Sequence, residues 1–116
     1  MKKFLVLYLA PSAVLAEWMN TPAEERAVAE KKMQGDWQKW MKKHAEFFAD
    51  TGGGAGKTKR ITSAGASDGK NDIMLYSLMQ AESEEEVISM FEGHPHLGIP
   101  QATIEVMEVR PMGGAM

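Results

Sequence analysis

The chemistry-bearing residues of this chain gather in "FEGHPHLGIP", residues 91–100, where His94 and His96 flank Pro95. Imidazole gains and loses a proton near neutral pH, which suits general acid–base work. The pair sits on a loop between a helical and a strand-like segment, a frequent place for functional side chains held by a rigid scaffold. The plain alternative is a solvated turn whose imidazoles cap the carbonyls of the preceding helix. His44 falls in helical register with Trp37, Trp40, Met41 and Phe48. It is either a polar group projecting into an aromatic cleft for a small, flat ligand, or a histidine at the core edge bonded to a backbone carbonyl. Trp18, ahead of that helix, and Tyr76, on a later strand, join His96, Trp37 and Trp40 in the candidate ligand-binding set. The tryptophans also read as packing residues, because a helical stripe of apolar side chains normally marks core. Two imidazoles alone do not make a metal centre. His44 and Asp36 would have to complete it, at spacings that are not diagnostic, and neither a metal nor a cofactor is expected.

A second stretch imitates a nucleotide site. In "TGGGAGKT", residues 51–58, three glycines precede Gly-Lys-Thr, close to the loop that wraps backbone N–H groups around phosphates. Such a loop follows a strand and opens a helix, so that the helix N-terminus faces the phosphates. Here the stretch is expected to follow a helix C-terminus and lead into a strand, and Thr51 holds the place of the first motif glycine. The nucleotide reading is therefore rejected. Gly52 and its neighbours are expected to end the helix through a residue of positive φ. No nucleophile elbow, HExxH, GxGxxG or paired-carboxylate pattern occurs elsewhere.

Composition narrows the partners. The chain has 116 residues, 44% of them apolar, which fits one domain over residues 1–116 with a real core. Thirteen basic against sixteen acidic side chains leave a net charge of −3 with no block of positive charge, so nucleic acid is not expected as a partner. Cysteine is absent, which excludes disulfides, thiolate catalysis and cysteine-ligated zinc. Ten methionines suit adaptable packing around a cavity, or an irregular core. The opening "MKKFLVLYLAPSAVLA" has two lysines, a seven-residue apolar run and small residues, as a secretory leader would. It also reads as a first strand over residues 3–10, bounded by Pro11. The strand is preferred, no other segment could span a membrane, and the expected location is cytoplasmic.

The elements that must position the histidines follow in order. After the strand, "PSAVLAEWMN" is a short helical or irregular link. Thr21 offers an N-cap, Pro22 the first helical position, and Glu24 and Glu25 an acidic first turn. Val28, Met33, Trp37, Trp40, Met41, Phe47 and Phe48 then recur at helical spacing, predicting a helix to about Asp50 with Gly35 as its weak point. "KTKRITSA" predicts a polar edge strand and "GASDGKND" a turn, with "SDG" at its centre. "IMLYSLMQA", residues 73–81, is apolar on both faces and so central in its sheet. Ser83 and Glu86 form a capping box opening a helix through Phe91, closed by Gly93 and Pro95, and "ATIEVMEV", residues 102–109, is the last strand. The fold class is α+β: a ferredoxin-like βαββαβ chain with a four-stranded antiparallel sheet.

The chain resembles the YCII-related family, including its DGPF-type branch. The likeness runs from "KKFLVLYL" and "PAEERAVAE" through the glycine break to "IMLYSLMQAESEEEVISMFEGHPHL" and "IEVMEVRPM". The strand–helix–"PH" segment is its most specific part. The resemblance implies a dimeric α/β barrel, a homodimer in which two sheets pack face to face and a cleft lies between sheet and helices. Enzyme-like members pair a histidine on the first helix with an aspartate in an Asp-Pro-aromatic motif. Here His94-Pro95 stands at the Asp-Pro position, the helical slot falls near Asp36, and "SDGKND" stands where the other branch has its Pro-Phe. That departure leaves two readings: loss of the family's activity, or a reciprocal pair, Asp36 orienting and His94 transferring the proton, since a carboxylate fixes an imidazole's tautomer and raises its basicity.

Three functions remain open. The first is acid–base chemistry, of hydrolase or isomerase type, on a small cyclic or aromatic metabolite. The second is a small-ligand-binding or regulatory dimer without turnover. The third is a haem- or metal-assisted oxygenase with His44 or His94 as ligand.

Overall fold

The computed structural model describes residues 1–112, so the end of the expected domain, residues 113–116, lies outside the described residues. The chain runs β1 (Lys2–Leu9), α1 (Ser12–Trp18), α2 (Ala23–Lys43), β2 (Phe48–Gly54), β3 (Thr58–Thr62), β4 (Gly65–Gly69), β5 (Ile73–Ala81), α3 (Glu84–Phe91) and β6 (Thr103–Val109). Strands β2, β5, β1 and β6 form one antiparallel sheet in that spatial order, while β3 and β4 form a separate two-stranded ribbon. Leaving out the ribbon, the order is βαββαβ, and the chain is ferredoxin-like. No described helix is long and apolar enough to cross a membrane.

Strand alternation sets the core. Phe4, Val6 and Tyr8 of β1 are buried under the helices, opposite Met79, Ser77 and Leu75 of β5, and β5 is central as its two apolar faces predict. Val87, Met90 and Phe91 of α3 close over them, with Trp37 and Trp40 of α2 packed alongside. Each fully buried side chain of this size contributes about 1.5–3 kcal/mol. The Ser83 hydroxyl accepts from the Glu86 N–H at 3.2 Å, so the expected cap of α3 is present, and Gly93 follows that helix with φ +72°.

Three expectations are corrected. Helix α2 stops at Lys43 rather than near Asp50, and it begins after Pro22 without a side-chain cap from Thr21. Phe47 and Phe48 continue the helical spacing, but Phe48 instead pairs with Met79 on the sheet, and tertiary pairing outweighs local propensity. The glycine segment is therefore sheet edge, not loop: Phe48–Gly54 is β2. Gly52 has the expected positive φ, +74°, for a different reason. Its backbone crosses so close to Tyr76 that a Cβ would stand 1.8 Å from the Tyr76 carbonyl oxygen, at a bulge between Asp50 and Gly53. Lastly, "KTKRITSA" pairs only with the segment expected as a turn, Gly65–Gly69, which is strand β4. The nucleotide reading fails here too, because "TGGGAGKT" lies in and between two strands and opens no helix.

Candidate functional site

His94 caps the start of a tight 3-10 turn, Pro95–Gly98, that packs against α2, and His96 lies on that turn. They are not solvated, with only 2% and 1% of their surfaces exposed, and they do not cap α3. His94 Nδ1 accepts from the His96 backbone N–H at 3.0 Å, fixing the start of the turn that follows. A lone pair at Nδ1 puts the ring proton of neutral His94 on Nε2, which has no partner. His96 Nε2 lies 2.9 Å from the Leu9 carbonyl oxygen. A carbonyl only accepts, so His96 Nε2 carries a proton; in the neutral ring its Nδ1 is then an acceptor, also without a partner. The two buried rings thus present one free donor and one free acceptor.

The rings are enclosed by aromatic side chains. Trp37 and Trp40 each stand 4.5 Å from His94, nearly perpendicular to it, with Phe91 at 5.5 Å and Tyr8 at 5.6 Å. Burial among them pushes the His94 pKa down to about 4, and the neighbouring His96 and then His44 add to the effect. Near neutral pH His94 is therefore an uncharged donor, not a base. In this arrangement His94 Nδ1 is occupied by the His96 N–H, and His96 Nδ1 keeps a free lone pair. Among the described residues no three His, Asp or Glu side chains gather so as to hold a metal ion.

Tyr8 and Trp37, whose rings stand 5.3 Å apart, have a second side. With Met41, Phe48, Leu75 and Tyr76, and the bulged segment Thr51–Gly53, they line an open cleft of about 350 Å³ between α2 and the sheet edge. The Tyr8 hydroxyl bonds the Ser77 hydroxyl at 3.1 Å; burial raises its pKa, against a smaller lowering by that bond. At the bulge, the Gly52 N–H donates to Asp50 Oδ1 at 2.8 Å.

The sequence-derived candidates divide sharply. Trp37 and Tyr76 line the cleft, whereas His94, His96 and Trp40 lie behind it, with the Trp40 indole N–H donating to the Met90 carbonyl at 2.8 Å. His44 ends α2, its ring 4.9 Å from that of Trp40, and burial together with Lys43 lowers its pKa. Trp18 ends α1, 36% exposed, and is not part of the cleft wall. The Asp36–His94 pair is not formed: Asp36 Oδ2 is held by Lys32 Nζ at 3.2 Å, one helical turn away, and His94 Nε2 is unpartnered. An i, i+4 partner on the same helix was available at no tertiary cost. Sequence reasoning missed Tyr8, Met41, Phe48, Leu75 and the Thr51–Gly53 wall. The signal for that wall is the glycine run, which marks a close backbone approach as well as it marks a helix stop.

Comparison with known proteins adds little to this geometry. No family model matches the chain, and no curated protein matches it. Among solved structures it is similar to 5-chloro-2-hydroxyhydroquinone dehydrochlorinase (TftG) from Burkholderia phenoliruptrix AC1100, in complex with 2,5-dihydroxybenzoquinone, at 14% identity over 95% of this chain and 94% of that one, with a TM-score of 0.47. A de novo designed protein with ferredoxin fold is 13% identical over 99% of this chain and 89% of its own, with a TM-score of 0.33. Neither likeness bears on the cleft or the histidines.

Proposed function

We propose that this protein binds a compact, flat, largely apolar ring compound in the cleft walled by Tyr8, Trp37 and Phe48. The cleft itself carries the reading. Its volume of about 350 Å³ admits a single-ring metabolite. Aromatic and aliphatic side chains supply the apolar surface, and the bulged segment Thr51–Gly53 supplies the few polar groups that fix orientation. The binding is tested by titrating single-ring phenols, quinones and aromatic acids while following Trp37 fluorescence and melting temperature. A ligand raises the melting temperature because it binds only the folded state. Trp37→Leu is expected to abolish that shift, and a full shift in this variant overturns the assignment.

A second reading, acid–base catalysis, is favoured by one observation: the free donor at His94 Nε2 and the free acceptor at His96 Nδ1. In it His96, not His94, takes the proton, and His94 donates a hydrogen bond, once Trp37 moves aside. Turnover of a bound ligand by the wild type that survives unchanged in His96→Gln removes this reading and leaves the first.

Three further parts belong to the same proposal. The YCII-related likeness rests on the residues quoted for it. A cytoplasmic setting is supported by the place of the apolar run 3–10, most of which is an inner strand of the sheet rather than a free leader. A homodimer is supported by the second face of the sheet, where no layer among the described residues covers Leu5, Leu7, Leu9, Leu78 and Met107; a sheet with two apolar faces needs both accounted for.

A further inference from the structure

The β3–β4 ribbon takes no part in the fold just described. Its five cross-strand pairs run from Thr58–Gly69 to Thr62–Gly65, and none joins the main sheet. A two-stranded ribbon standing alone is marginal in water. This one is nonetheless fully formed, with Ile61 82% exposed, an ion pair between Lys59 and Asp68 across the strands, and a bond from Asn71 Nδ2 to Thr58 Oγ1 at its root. The molecule as a whole has a radius of gyration of 16.4 Å, where a compact domain of this length has about 13 Å.

The ribbon is basic. Lys57, Lys59, Arg60 and Lys70 stand against a single acid, Asp68, in a chain whose net charge is −3. The opposite charge is concentrated at the start of α3, where Glu82, Glu84 and Glu85 are exposed. The ribbon leaves the four-stranded sheet at Gly54 of its edge strand β2 and returns to it at Ile73 of β5, the strand beside β2.

We propose that the ribbon is a dimerisation arm. It reaches beyond the sheet-to-sheet contact of a second copy of this chain and lays its cations against that copy's acidic start of α3, and a two-fold axis makes the exchange reciprocal. The inference rests on the homodimer reading above and adds to it a second contact of different chemistry.

Sedimentation equilibrium on the full chain separates the two ideas. Wild type is expected to dimerise, more weakly in high salt. Lys57→Glu with Arg60→Glu leaves the Lys59–Asp68 pair in place and is expected to weaken the dimer at least about tenfold. Adding Glu82→Lys and Glu85→Lys in the same chain is expected to restore it. A monomeric wild type overturns both the homodimer and the arm. A dimer whose affinity is unchanged by the charge reversal, and by replacing residues 57–70 with a short Gly-Ser link, overturns the arm and leaves the homodimer. Weakening without rescue overturns the acidic docking site.

Discussion

Tyr8 and Trp37 stand between two regions of opposite character. Behind them, His94 and His96 are sealed among aromatic rings with two ring nitrogens unpartnered. In front of them lies an open cleft whose wall contains no histidine or carboxylate. The chemistry-bearing residue types went to the sealed side and the accessible surface to the apolar side. What this teaches is that a titratable residue beside a cleft is not thereby in it. Burial keeps His94 neutral and turns it into part of the packing, while recognition passes to residues that look like ordinary core.

The contrast can be broken most severely from the cleft side. Gly52→Ala forces a Cβ into the Tyr76 carbonyl at φ +74°, and is expected to cost at least about 3 kcal/mol in denaturant unfolding and to abolish ligand binding. Gly53→Ala is the control, since nothing lies within 4 Å of its Cβ position; an equal loss there would mean that the close approach at Gly52 is not the cause. On the sealed side, acid is the probe. The folded-state pKa of His94, about 4, lies below its ordinary 6.5, so between those values the unfolded chain binds more protons. Stability should therefore fall as pH drops through that window, by about 3 kcal/mol in total. His94→Phe should flatten this part of the pH profile; an unchanged slope would place the titration elsewhere.

Smaller effects sharpen the boundary. Trp40→Phe removes the indole donor from the Met90 carbonyl, with an expected loss of about 1–2 kcal/mol and unchanged affinity in the cleft. Lower affinity in that variant would show that Trp40 acts on the open side after all. Asp36→Asn touches only the exposed pair with Lys32, and a change within about 0.5 kcal/mol is expected. A loss several times larger, or an altered His94 titration, would reinstate the Asp36–His94 couple.

The regular parts of the fold were legible because their signals are local. The Phe4, Val6, Tyr8 alternation, the Ser83 cap and the two-sided apolarity of residues 73–81 each state a periodicity or a hydrogen bond that neighbouring residues complete. The end of α2 was not legible, because Phe47 and Phe48 satisfy a helical stripe and a strand equally well, and only pairing with β5 decides between them. Gly52–Gly54 read as a break for the same reason, since glycine weakens strands unless another backbone comes close. The segment Gly65–Gly69 looked like a turn because nothing in "GASDG" announces its partner in Thr58–Thr62.

By itself the sequence determined the α+β class, the order of the main elements and the short list of aromatic and imidazole groups from which any site had to be built. It did so through spacing, capping and charge, which act over a few residues. Tertiary structure decided which of those groups meet solvent. Trp37 and Tyr76 reached the cleft, His94 and His96 were enclosed, Asp36 was kept by its own helix, and Tyr8 came to face both sides. Exposure depends on how layers distant in sequence close over one another, and no spacing within one segment encodes it.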